Sequence, residues 1–582
     1  MASRGPRSAT PSRRTARNRR SVARPPAPRC RPNLRPAHRS RSTSFGPNRE
    51  ENLERLRAES FDVAVIGGGI NGAAIARDAA IRGLRVALID KGDFAGATSS
   101  SSSKLIHGGL RYLPQGQLRL VYHALRERER LRYRTAPHLV HPIRFLYPTY
   151  RGRGVGRLAL SAGLFFYDSF ARTPRAERHQ RLAAAEVCEL EPALASEDMT
   201  GGALYYDAWA DDARLTLENA LDAVAHGAAI ANYVSAEGFS HAGSRISAAA
   251  VRDLGGSCGS FEMRARIFVN AAGPWVDHVR RMDDPGCAPI VRLTKGVHLV
   301  IAQNSVPIRN SLVLSDEGGR IVFAMPREGY VLVGTTDTDF TADPAHPTVD
   351  DSDIAYLTGV LSASLRGLSL APADVAYSFA GLRALVATET KANPSSVPRE
   401  ETIVSSTSQL LTVAGGKLTT HRKIAEKVVD KLTRSLGRPS GRCPTLEAPL
   451  PGARQCGQPQ ADTAALSPDV SRMLEARYGS RAALVGDIIR ERPELEARLA
   501  PDAPAIEAEV VHAVRNEMAQ TVADFLVRRT SMVWRAPLAA AAAAPAVARR
   551  MAVELGWDRR REKSELEAFF SCSALAPGQT HE

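Results

Sequence analysis

Three glycines in the pattern Gly67-x-Gly69-x-x-Gly72 stand between the apolar run "FDVAVIGGG" and the helically spaced "INGAAIARDAAIRG". A glycine at 67 permits a tight turn. One at 69 lets backbone approach a pyrophosphate, and one at 72 lets the helix pack closely on the strand. The amides at the helix N-terminus then face the anion. Asp90 closes the next apolar run, "LRVALID", where a carboxylate accepts hydrogen bonds from ribose hydroxyls. These residue types, in this order, bind a dinucleotide.

Two later turns repeat the device. "VNAAGPWVD" places Asn270, Ala271, Ala272 and Gly273 after an apolar run, and "AGGKLTT" places Gly415, Gly416 and Lys417 before a basic helix. NAD domains complete their site within one contiguous fold. Three returns to one ligand suit the longer FAD. Reduced flavin carries negative charge near N1 and the C2 carbonyl, which helix N-terminal amides and Lys417 would stabilise. The stretch "GATSSSSSKLIHGGLRYL", 96–113, has the composition of a linker at its serines but runs into Lys104, His107, Arg111 and Tyr112. We read it as an ordered loop. Ser99, Ser100 and Lys104 are expected to contact or frame the cofactor.

The elements that hold these residues follow from periodicity. Strand, helix and strand at 60–90 make a β-α-β unit and a parallel sheet. Residues from about 115 to 200 read as mostly helical and charged. "HLVIAQ" and "RIVFAMPREGYVLVGTTDTDF" read as strands of a mainly antiparallel sheet. The expected fold is α/β: a Rossmann-like FAD-binding domain with an inserted, mainly antiparallel substrate domain and a C-terminal helical cap domain. The expected divisions are a disordered basic tail at 1–55, an oxidoreductase region at 56–440, a Pro/Gly-rich linker at 441–462 and a helical domain at 463–582. Within the oxidoreductase region, FAD-binding parts fall at about 58–115, 200–290 and 405–440, and the substrate sheet at about 290–400. "PLAAAAAAPAVARR" at 537–550 reads as loop and helix, broken by Pro545, rather than a membrane span.

The formal net charge of +15 is concentrated in the tail. Residues 1–50 carry fourteen arginines and one acid, Glu50, which leaves the remaining chain nearly neutral. That argues against a large basic groove for nucleic acid. The tail has too little apolar surface to offset its chain entropy, and no apolar core of a secretory signal. The seven cysteines include no C-x-x-C pair, so neither a cysteine-based metal site nor a disulfide framework is expected.

The segments "DVAVIGGGINGAAIARDAAIRG", "ATSSSSSKLIHGGLRYL", "VNAAGPWVD", "LTKGVHLV", "IVFAMPREGYVLVGTTDTDF" and "AGGKLTTHRK" together resemble the FAD-dependent glycerol-3-phosphate dehydrogenases. The likeness runs in order from about 60 to 435, and "EVVHAVRNEMAQTVADFLVRRTSMVW" resembles their C-terminal cap. It implies oxidation of sn-glycerol 3-phosphate to dihydroxyacetone phosphate. It also implies electron transfer to a membrane quinone by a cytoplasmic enzyme, peripheral on the inner face of the cytoplasmic membrane, with a homodimer as one possible assembly. Cofactor contacts are implied at Gly67, Gly69, Asn71, Gly72 and Asp90, at Ser99, Ser100, Lys104, His107 and Gly109, and at Ala272, Gly273, Gly416 and Leu418. No metal is implied.

A hydride leaving C2 of a secondary alcohol needs an anchor for the phosphate dianion, a proton acceptor and tight placement. Arginine suits the anchor because its planar fork binds oxyanions and stays charged. The resemblance puts substrate binding on Arg111, Tyr112, Arg383, Arg399, Lys417 and Thr419, with His298, Arg383 and Lys417 as the catalytic set. "PREE" around Arg399 departs from the family pattern. His298 and His107 are both candidate proton acceptors, as is a Lys417 of lowered pKa. Thr335, Thr336 and Asp337 read as hydrogen-bonding scaffold. Two rivals remain: a related flavin oxidase or hydroxy-acid dehydrogenase, and a flavin-holding protein whose basic tail tethers it to nucleic acid or membrane.

Overall fold

A computed structural model describes residues 48–573 and 575, apart from 114, 387–400, 440 and 454–465. The strand Ser60–Ile66 is buried at every residue but its first, and Val86–Ile89 is buried throughout. Continuous apolar runs of this kind belong to a parallel sheet covered on both faces. Ser60–Ile66 pairs in parallel with both Val86–Ile89 and Ser260–Asn270. Leu411–Gly415 adds to the far side of Ser260–Asn270, and Ala229–Ala231 to the far side of Val86–Ile89, both in parallel. The three glycine turns therefore leave the carboxyl ends of three adjacent strands, where open α/β sheets bind their ligands.

The helix Ile70–Ile81 buries Gly72, Ala73, Ala74, Ala76, Ala79 and Ala80, and these small residues let it lie close to the sheet. Its flanks pack against the helices Asp212–Ala225 and His421–Ser435.

The second sheet has ten strands, mostly antiparallel. Val291–Ala302 sits between Tyr330–Gly334 and Val375–Val386, pairing antiparallel with each. The sheet is wider than the expected 290–400, because Val140–Tyr150 and Met199–Ala210 also belong to it. The helical reading of 115–200 missed the first of these. Charged helices flank it, and Pro142 and Pro148 interrupt its strand signal.

Three further boundaries differ from expectation. The tail does not extend to 55: Arg49–Ala58 is a helix that buries Leu53 and Leu56 and is capped by Asn48. The stretch 443–453, read as linker from its prolines and glycines, is packed. Cys443, Leu450 and Ala453 are buried, and Arg77 donates to the carbonyls of Ala448 and Pro449. Pro537–Leu555 is one helix through Pro545, with Ala540, Ala543, Ala544, Val547, Ala548 and Met551 forming its inward face. The C-terminal helices dock on the body through buried ion pairs: Arg214 with Glu517 at 2.6 Å and Arg529 with Asp93 at 2.6 Å.

Candidate active site

The fingerprint is built for backbone approach. Gly67 has φ +110°, and a Cβ there would lie 2.5 Å from the carbonyl oxygen of Ala271. A Cβ on Gly72 would overlap the carbonyl oxygen of Gly67. Only glycine at both positions lets strand, turn and helix close around a ligand. The Asp90 carboxylate accepts from the Gly68 amide at 2.6 Å and the Gly92 amide at 2.8 Å. Desolvation raises its pKa to about 6, against those two hydrogen bonds.

The serine run is ordered, and each of its hydrogen bonds is specific. Ser99 Oγ accepts from the Ile70 amide at 2.9 Å, at the N-terminus of the fingerprint helix. Ser102 Oγ donates to Asp212 at 2.6 Å, and Ser103 Oγ lies 2.8 Å from His298 Nε2. The neighbouring Thr98 hydroxyl donates to the carbonyl of Leu382. Lys104 is buried, with its ammonium 2.6 Å from Asp212 and bonded to the Ser100 carbonyl. It frames the loop with its charge matched.

Past the serines, the loop meets the third glycine turn. Thr419 Oγ1 accepts from the His107 amide and donates to the His107 carbonyl. The His107 ring stands edge-on to Phe323, at 6.5 Å. Arg111 donates to the Tyr112 hydroxyl at 3.0 Å, and the Lys417 ammonium lies 3.8 Å above the Tyr112 ring. Gly109, at φ +81°, makes room for the Tyr112 ring, which a Cβ there would overlap, with Lys417 Nζ behind it at 3.2 Å. Arg111, Tyr112, Lys417 and Thr419 thus form one cluster.

A second cluster stands on the antiparallel sheet. Arg383 donates to Asp337 at 3.1 Å, to Thr335 Oγ1 at 2.9 Å and to the Thr336 carbonyl. Thr336 Oγ1 in turn accepts from the Val297 amide. His298 is fully buried and stacked on Phe379, with ring centroids 4.9 Å apart. Its pKa lies well below the usual 6.5, first through burial and then through the charges of Arg383 and Lys104. The imidazole is therefore neutral near neutral pH and able to accept a proton. The serine loop joins the clusters, bonding to His298 through Ser103 and to Thr419 through His107. Arg399 lies outside the described residues.

Several supporting residues escaped the sequence reading. Gly296 and Gly334 face the second cluster: a Cβ on Gly296 would overlap the Arg383 guanidinium, and one on Gly334 the His298 ring. Isolated glycines within the strand runs "TKGVHLV" and "YVLVGTT" were the available signal. Ser103 and Asp212 offered none.

The crevice fits FAD. Its walls are backbone that no side chain can replace. Among the described residues, the buried Oδ1 of Asn71, in the first turn of the fingerprint helix, has no hydrogen-bond partner. The family model "FAD dependent oxidoreductase" matches residues 62–422, and "C-terminal domain of alpha-glycerophosphate oxidase" matches 443–562. The aerobic glycerol-3-phosphate dehydrogenase of Staphylococcus haemolyticus is 35% identical over 505 residues, covering 84% of this chain and 89% of that one.

The chain belongs to the FAD-dependent glycerol-3-phosphate dehydrogenase family.

The Bacillus subtilis member is 36% identical over 502 residues, covering 84% of this chain and 90% of that one. The crystal structure of the Bacillus halodurans glycerol-3-phosphate dehydrogenase complexed with FAD superimposes with a TM-score of 0.74 at 31% identity, covering 92% of this chain and 99% of that one. As in that family, the cofactor is FAD. Among the described residues no cluster of metal-ligating side chains occurs, and no helix is long and apolar enough to cross a membrane.

Proposed function

We propose that this chain oxidises sn-glycerol 3-phosphate to dihydroxyacetone phosphate and passes the electrons to a membrane quinone. The observation that carries the reading is the serine loop that joins the buried His298, beside Arg383 on the second sheet, to the cluster of Arg111 and Lys417. When bound, FAD supplies the acceptor for the hydride from C2. Arg383 binds the phosphate dianion, its plane held by Asp337 and the Thr335 hydroxyl. Arg111 and Lys417, with Tyr112 between them, supply further positive charge and orient the triose. Arg399 joins this set on the family likeness. His298 accepts the C2 hydroxyl proton as the hydride leaves, and the ring stacked on Phe379 keeps the acceptor nitrogen in place.

Cofactor contacts fall to the glycine turns, Asn71, Asp90, Ser99, Ser100, Lys104, His107, Ala272 and Leu418. Peripheral membrane association is supported by the helix Arg157–Ala171. Leu158 is 81% exposed there, Phe165 62% and Phe166 51%, and Arg151, Arg153 and Arg157 are exposed beside them. Apolar side chains of that size rimmed by arginines suit an anionic lipid surface. We place the enzyme on that surface from the cytoplasmic side. The acceptor is tested by turnover with a short-chain quinone without oxygen, against turnover with oxygen alone. Quinone-dependent formation of dihydroxyacetone phosphate supports the proposal. Oxygen-dependent formation of hydrogen peroxide at the same rate makes the chain an oxidase.

A further inference from the structure

His298 presents two different nitrogens. Nε2 lies 2.8 Å from Ser103 Oγ. Nδ1 is buried and, among the described residues, has no hydrogen-bond partner. The ring plane is held by Phe379, stacked on one face at 4.9 Å, and by the bare backbone of Gly334 at the Cδ2 edge. The groups facing this imidazole are all fixed. Arg383 on the neighbouring strand is tied to Asp337, Lys104 on the loop is tied to Asp212, and Phe379 and Gly334 carry no charge.

We propose that Ser103 is the positioning residue that fixes the working tautomer of His298. The Nε2–H donates to Ser103 Oγ, and Nδ1 is the atom that takes the substrate proton. This rests on the reading of His298 as the base. Only this arrangement satisfies both nitrogens before and after proton transfer. Before transfer, the C2 hydroxyl donates to bare Nδ1 and Nε2–H donates to Ser103. Afterwards, Nδ1–H donates to the new carbonyl oxygen and Nε2–H keeps its partner. Buried polar groups without partners are costly, so a site that satisfies both states favours the transfer.

Without Ser103, the proton can settle on Nδ1 and leave the acceptor nitrogen facing the wrong way. A wrong tautomer lowers kcat while substrate binding survives. The imidazolium also loses a hydrogen bond, which lowers the histidine pKa further.

The test uses holoenzyme labelled with 15N-histidine, the His298 signals being identified by their loss in His298→Asn. The wild type is expected to show a protonated Nε2 and a bare Nδ1. Ser103→Ala is expected to show proton density on Nδ1, a kcat about 100-fold lower, a KM changed by less than about threefold, and an acid limb of kcat moved to lower pH. Ser103→Thr should restore kcat and tautomer together. A wild-type His298 protonated at Nδ1, or full kcat in Ser103→Ala while His298→Asn is inactive, overturns the role of Ser103 and leaves the base assignment standing. Full turnover in His298→Asn overturns the base assignment itself.

Discussion

The carboxamide of Asn71 donates a hydrogen bond to the carbonyl of Gly415 at 3.2 Å, joining two glycine turns that lie 344 residues apart in the chain. The first turn begins the cofactor cradle. The second leads into Lys417 and Thr419. The proposed cofactor and substrate residues are therefore linked past the end of the intervening strand Ser260–Asn270, and disturbing either turn should be felt at both.

Gly72→Ala should be the most damaging single methyl in the cradle, because its Cβ would overlap a backbone oxygen that has no room to move. Overpacking of this kind costs about 1–3 kcal/mol or more. The purified variant should carry little flavin and melt earlier than wild type. A fully yellow protein of unchanged Tm would show that the turn does not enclose the cofactor.

As the proposed acceptor of the ribose hydroxyls, Asp90 should make FAD affinity pH-dependent, because burial pushes its carboxyl up to about 6. Affinity should hold above that pH and weaken as pH falls through it, since protonation removes an acceptor. Titration of the apoprotein by flavin fluorescence reads this directly. Asp90→Asn should bind more weakly and lose the pH step.

Arg383→Ala should raise KM for glycerol 3-phosphate roughly ten- to hundredfold, the loss of charged hydrogen bonds worth about 1.5–3 kcal/mol. FAD should stay bound. Removing this cation also lets the His298 pKa rise from its depressed value, so the acid limb of kcat should move to higher pH. The base is active only when neutral, and a higher pKa means activity is lost earlier on acidification. An unchanged KM would take Arg383 out of the phosphate site.

Arg214 and Glu517 are both fully buried where the C-terminal helices meet the body. Arg214→Met leaves Glu517, among the described residues, with Arg529, Arg481 and His512 at longer range. Breaking such a pair costs about 3–5 kcal/mol. The Glu517 carboxyl is held well below its usual range, so its contribution is present above about pH 4.5 and is lost only as pH falls through the depressed value. Denaturant unfolding at pH 7 should show the full loss.

The helix Arg157–Ala171 gives the membrane reading its own test. Replacing Phe165 and Phe166 with serine removes exposed apolar surface without touching the inward Leu160, Leu164 and Tyr167. Sedimentation with phosphatidylglycerol vesicles should fall at least severalfold while turnover with a soluble acceptor is kept. Equal binding would place lipid contact elsewhere.

Local patterns gave away the cradle because each of its parts is local: strand, glycine turn, helix and the acid at the next strand end. The three glycine turns were legible for the same reason, and the sheet brings them together by placing Ile66, Asn270 and Gly415 at neighbouring strand ends. The pairing of Ser103 with His298 was not legible. It spans 195 residues and depends on how the loop crosses the second sheet. Gly296 and Gly334 were visible as glycines inside strands, but what they make room for appears only once Arg383 and His298 lie across the register. The packed stretch 443–453 was misread because proline and glycine content reports turns, not exposure.

Glycerol 3-phosphate should reduce the flavin of this protein, and the visible spectrum of the holoenzyme, without oxygen, before and after sn-glycerol 3-phosphate is added, reads that step directly. Rapid bleaching of the flavin band is expected, slowed in His298→Asn and shifted to higher substrate concentration in Arg383→Ala. A flavin-loaded protein whose spectrum does not change with saturating substrate, yet bleaches with dithionite, would contradict it.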